Sequence, residues 1–123
     1  MTAGPEEKVR QGLIRWLVDT IKVPANFIAV EFSLASLDPS SRKRADVVVW
    51  RPAGKAGGLH PWLLAECKAP GLKLDEPVAD QVRGYAQNIK ADYVLLTNGT
   101  VTRCFTGGGP SYHEVGNLPM FPI

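Results

Sequence analysis

RADVVVWRPAGKAGGLHPWLLAECKA, residues 44–69, decides the fold. Its two ends are runs of β-branched and aliphatic residues, RADVVVW (44–50) and PWLLAECKA (61–69), and the Gly- and Pro-rich stretch between them can continue neither strand. Upstream, FIAVEFSL (27–34) is a third such run, set off by DPSS (38–41), so three strands in sequence form a meander. Before them, Pro5 and Glu6 suit a first helical turn, where the missing proline N–H costs nothing and an acid meets the positive helix end. Val9, Leu13, Trp16, Leu17 and Ile21 then recur at spacings of three and four, which predicts a helix over 5–22, stopped by Pro24. Beyond the meander, Asp75 is a good N-cap and Pro77 a good first-turn residue, predicting a second helix to about Lys90 through Val78, Val82, Tyr85 and Ile89. DYVLLTNG (92–99) reads as a strand, VTRCF (101–105) and SYHEV (111–115) as two short ones around a Gly-rich turn at 107–109, and GNLPMFPI (116–123) as loop. The order α-β-β-β-α-β, followed by the short strands, defines an α/β domain with at least one βαβ crossover, its mixed central sheet flanked by helices. A single domain is expected over 1–123, with its core over about 5–106.

Composition excludes several classes of protein. A chain of 123 residues holds one core, and 45% apolar with 21% charged residues is ordinary globular usage. The formal charge of +2 is too near balance to mark a nucleic-acid binder by itself. Its distribution is uneven: residues 1–61 carry nine Lys/Arg against six Asp/Glu, residues 62–123 five against six, and the excess is densest at Arg42, Lys43 and Arg44. No run approaches 18 apolar residues, and the chain opens on Glu6 and Glu7 where a secretory leader is basic and then apolar, so a soluble, cytoplasmic protein without membrane association is expected. Cys67 and Cys104 are too few for a disulfide framework and read as buried free thiols.

The informative positions are ionisable residues inside strands that otherwise look buried, because a buried charge needs a partner or a metal. Asp46 opens Val47-Val48-Val49-Trp50, and alternation assigns it to the face of Val48 and Trp50. Glu66 and Lys68 are two apart and share a face with Leu64, while Cys67 points the other way. Taken alone, Glu66 and Lys68 are better explained as a cross-strand ion pair on a solvated face. With Asp46 on a neighbouring strand, two carboxylates and a lysine gather at one sheet end, a donor set suited to Mg²⁺ with most of its waters kept. Gln81 falls on the expected inward stripe of the second helix and Glu6 on that of the first. Trp50, Trp62 and Phe105 read as core, although Trp62, beside the glycine loop 54–60, is the candidate for base stacking.

Together, Asp46, Glu66-Cys67-Lys68 and Gln81-Val82-Arg83-Gly84-Tyr85 resemble the PD-(D/E)xK nuclease superfamily. More narrowly, PEEKVRQ (5–11), RKRADVVVW (42–50), LLAECKAP (63–70), DQVRGYA (80–86) and YVLLTNG (93–99) resemble the N-terminal nuclease domain of type I restriction enzyme R subunits and its small stand-alone relatives. The resemblance implies a restriction-endonuclease-like αβββαβ core and a Mg²⁺- or Mn²⁺-dependent DNA endonuclease leaving a 5′-phosphate and a 3′-hydroxyl. Asp46, Glu66 and the Cys67 carbonyl would be metal ligands and Lys68 the catalytic lysine. Gln81 and Tyr85 would match the Q-x-x-x-Y motif that orders the active site or contacts DNA, and Glu6 the first-helix acid near Lys68 or a metal-bound water. Arg42, Lys43 and Arg44 would neutralise phosphates beside the metal. Ala45 stands where the superfamily's proline is usual. The partners implied are DNA and either a second copy or a larger restriction complex. The chain contains no GxxxxGK[ST] phosphate loop, so no nucleotide cofactor is expected. Two alternatives stay open: a nuclease-fold DNA-binding or interaction module that needs a partner subunit for any activity, and an α/β domain in which Asp46, Glu66 and Lys68 are a structural ion-pair network.

Overall fold

The structure, a computed structural model, describes residues 4–107 and 112–122. Helix α1 (Pro5–Asp19) leads into strands β1 (Ile28–Ser33), β2 (Arg44–Pro52) and β3 (Leu59–Cys67), then helix α2 (Glu76–Ala86), then β4 (Tyr93–Thr97), β5 (Thr102–Thr106) and β6 (His113–Val115). All six strands form one sheet in the order β1-β2-β3-β4-β5-β6. Only β3 and β4 are parallel, as the α2 crossover between them requires. The α/β class, the meander and the mixed sheet flanked by helices agree with the expectation from sequence. The Gly-rich turn falls largely on 108–111, outside the described residues.

Each helix covers one face of the sheet. Val9, Leu13 and Leu17 of α1 and Ile21 just after it pack with Val47, Val49, Leu63 and Leu95 in a first core. Ala79, Val82, Ala86 and Ile89, from α2 and the turn after it, pack with Val48, Leu64, Val94 and Phe105 in a second. The tail from residue 116 is irregular but buried: Leu118 and Phe121 join the first core, and the Phe121 N–H donates to the Ile21 carbonyl at 2.8 Å. Cys67 and Cys104 are free thiols, both buried. Among the described residues no helix is long and apolar enough to cross a membrane.

The start of α2 is built as its sequence demands. The Asp75 carboxylate accepts from the Val78 N–H at 3.3 Å, satisfying one of the donors that a helix start leaves unpaired. Asp75→Ala is expected to destabilise the domain by about 1 kcal/mol and to lower its Tm by about 4 °C. Reversible thermal unfolding followed by circular dichroism checks this, and an unchanged Tm would show that the cap contributes nothing.

Candidate active site

The β2–β3 ladder runs as far as Val47 opposite Ala65 and then stops. One residue further out, a side chain replaces the backbone: the Asp46 carboxylate accepts from the Cys67 N–H at 2.7 Å through Oδ2. That contact satisfies the amide of the last residue of β3. Asp46 does not share a face with Val48 and Trp50 as alternation predicts. Ala45, before it, packs in the second core, and Val47, after it, in the first, so Asp46 lies where the strand changes phase. Its carboxylate therefore occupies the seam between β2 and β3, half-buried.

Glu66 keeps the predicted alternation. Ala65 and Cys67 on either side of it belong to the first core and Leu64 to the second, so Glu66 projects on the Leu64 side. Lys68 follows the last residue of β3, and its N–H donates to the Thr97 carbonyl at 2.8 Å, prolonging the parallel ladder with β4 by one bond. The segment beyond is fastened from β4 as well. Buried Asn98 donates through Nδ2 to the Leu72 carbonyl at 2.8 Å, while its Oδ1 accepts from the Thr100 and Val101 N–H groups at 2.9 and 2.7 Å. Asn98 therefore clamps the turn after β4 to the loop after Lys68, a role visible in sequence only as one of the turn residues in TNG.

Three acids and one guanidinium act at this sheet end. The Cys67 thiol is pushed up to about 12 by burial first, then by the negative charges of Asp46 and Glu66, with Glu6 adding and Arg10 opposing. The thiol thus stays protonated at neutral pH and is no nucleophile. Glu6 is exposed on the first turn of α1, yet near enough for its charge to be felt at Cys67. Arg10 pairs with Glu7 on α1 and with Glu31 of β1, the latter at 3.2 Å.

Other predicted residues fall elsewhere. Gln81 is exposed and not on the inward stripe of α2, because Ala79, Val82 and Ala86 form that stripe and turn Gln81 outward. Tyr85 continues α2, but its side chain lies outside the described residues. Arg42, Lys43 and Arg44 are exposed where the chain enters β2, immediately before Ala45 and Asp46. Trp62 is 2% exposed, packed edge-on against Tyr93 and Phe121, and cannot present a face to a base. The loop 54–58 and His60 belong to the opposite end of the β2–β3 hairpin, six strand positions from Glu66 or about 20 Å. His60 there faces the Lys90 carbonyl and Asp92.

Trp16, not Trp62, is the tryptophan with an exposed indole, on a groove of about 810 Å³ between α1 and the ends of β4 and β5. That groove reaches the candidate site at Pro70 and Thr97. Asp46, Glu66 and Lys68 line neither it nor a second cavity of about 610 Å³ around Arg51, Trp62 and Asp92.

An αβββαβ core with two carboxylates and a lysine at the open end of its central hairpin defines a restriction-endonuclease-like fold. The chain belongs to the family described as type I restriction enzyme R protein N terminus, whose profile matches residues 5–119. No curated protein matches the chain.

Proposed function

We propose that the chain is a divalent-metal-dependent DNA endonuclease of the PD-(D/E)xK type, hydrolysing phosphodiester bonds as the nuclease module of a restriction system. One observation carries the reading: the Asp46 carboxylate is held by the Cys67 N–H at the seam beside Glu66, with Lys68 immediately after the strand that carries Glu66. The donor set fits the ion. Among the described residues no three His, Cys, Asp or Glu side chains form a metal-binding group, which excludes a closed structural zinc cage there. Two carboxylates and a carbonyl are instead the sparse oxygen set that Mg²⁺ or Mn²⁺ accepts while retaining waters.

In this reading Asp46, Glu66 and the Cys67 carbonyl hold the ion. Bound there, it would neutralise the scissile phosphate and acidify an attacking water. Lys68 supplies a second, fixed positive charge where negative charge develops on the phosphoryl oxygens. Glu6 stands on the water side of the site. Arg42, Lys43 and Arg44 take the flanking phosphates, and Gln81 and Tyr85 contact the strand from α2. A single site cuts one strand, so double-strand cleavage requires a second copy or a partner complex.

The test is cleavage of supercoiled and single-stranded DNA with Mg²⁺, Mn²⁺ or EDTA. Metal-dependent nicking is expected, together with a rise in Tm on adding Mn²⁺, since a ligand bound to the native state stabilises it. The near-neutral charge of +2 favours one competing reading, a nuclease-fold module silent until joined by a partner subunit. Folded protein that gives no product with any divalent ion would select that reading.

A further inference from the structure

Among the described residues, three non-glycine residues adopt left-handed backbone: Lys22 (φ 68°), Glu31 (φ 48°) and Lys90 (φ 59°). Lys22 and Lys90 follow helical turns, where such a residue commonly ends the helix. Glu31 has no such local cause. It sits inside β1, between Val30 paired with Val47 and Phe32 paired with Ala45, and the rung between them, Glu31 opposite Asp46, is missing from the ladder. A left-handed acid in mid-strand persists only where its surroundings impose it.

Its consequence is a phase change in two strands at once. Residues two or four apart on a strand share a face. In β1, Ile28 packs against the first core but Phe32 against the second; in β2, Val47 and Val49 lie in the first core but Ala45 in the second. Both slips fall on the Glu31–Asp46 rung. Unbroken alternation would carry Asp46 to the face of Val48. The slip delivers it to the seam, where it accepts the Cys67 N–H at 2.7 Å. Glu31 is gripped from two sides: Arg10 of α1 reaches its carboxylate at 3.2 Å, and Arg44 Nη1 donates to its carbonyl at 3.5 Å.

We infer that Glu31 is a positioning residue, whose left-handed backbone sets the phase change that aims Asp46 at the Cys67 amide and at the metal. Only the last step, toward the metal, rests on the function proposed above.

The experiment separates backbone conformation from charge. Glu31→Gly and Glu31→Asn favour the left-handed region, and Glu31→Val opposes it. Hydrogen exchange of the Cys67 amide, followed by NMR with the Ala65 amide as internal reference, reads the Asp46 contact directly; Mn²⁺ affinity reads the consequence. In Glu31→Val, exchange at Cys67 should accelerate about tenfold relative to Ala65 and Mn²⁺ affinity should fall by a similar factor, the scale of the left-handed penalty for a branched residue. Glu31→Gly and Glu31→Asn should match the wild type despite losing the carboxylate. Wild-type protection in Glu31→Val, or equal loss in all three variants, would overturn the inference. If Glu31→Val does not fold, Glu31→Ala takes its place. A wild type that binds no Mn²⁺ would remove the metal reading alone, and the Cys67 amide would still decide the role of Glu31.

Discussion

Lys68→Ala is expected to lower metal-dependent DNA nicking by about 10²–10⁴-fold, the range spanned by loss of a positioned proton-transfer group or a fixed electrostatic stabiliser. The fold should survive, because what the structure takes from this position is its N–H, bonded to the Thr97 carbonyl at 2.8 Å, and alanine keeps that bond. Lys68→Arg should not rescue. A planar guanidinium presents its donors in a fork and cannot take the place of a compact ammonium. Asp46 needs a finer choice, since Asp46→Ala would also strand the Cys67 N–H, at about 1–3 kcal/mol for an unpaired buried donor. Asp46→Asn keeps an oxygen for that amide and removes only the charge. It should therefore fold as the wild type does and yet lose both cleavage and stabilisation by Mn²⁺. Undiminished nicking by Lys68→Ala, measured on supercoiled DNA beside the wild type, would overturn the assignment of the lysine.

Much of this architecture is legible in the sequence because long-range and local signals agree. The meander is written in three aliphatic runs separated by turn residues, and α2 announces its start with Asp75 and Pro77. Glu66 also follows its strand's alternation, so its face is readable. Asp46 escapes because one left-handed residue on the neighbouring strand shifts the phase, and nothing in the letters of AVEFS distinguishes Glu31 from any other strand acid. Gln81 misleads for a different reason. A stripe drawn through Val78, Val82 and Tyr85 weights large apolar residues, whereas Ala79 and Ala86, both fully buried, lie on the true inner face. Small residues carry little hydrophobic signal but permit the helix to approach the sheet. The tail is missed on similar grounds: Leu118 and Phe121 stand in a short stretch broken by prolines, without periodicity, and they are buried through what the rest of the fold offers them.

The largest stability effect is expected at Phe105. Its ring is fully buried in β5 within the second core, with the guanidiniums of Arg83, 4.8 Å from the ring centre, and Arg103, 5.3 Å from it, over the ring. Those two cations are fixed from outside. Arg83 pairs with Asp80 and Glu76, while Arg103 pairs with Glu76 and Glu114 and donates to the Leu74 carbonyl at 3.0 Å. Arg103 first, and then Arg83, hold the Glu76 carboxyl below its usual range. The ring thus joins the start of α2 to β5 and β6 and supports β4, whose Thr97 carbonyl holds the Lys68 amide. Phe105→Ala opens a cavity under two guanidiniums tethered elsewhere, so the site can collapse only partly. A loss of about 3–5 kcal/mol is expected, a large share of the roughly 5–15 kcal/mol that keeps a small domain folded. Phe105→Leu, which retains much of the volume, should cost about 1.5 kcal/mol. Urea denaturation of the two variants beside the wild type gives both values from their midpoints. Equal losses in the two would show that the aromatic face, and not the filled volume, carries the effect; a loss near zero in Phe105→Ala would remove the ring from the support of β4 altogether.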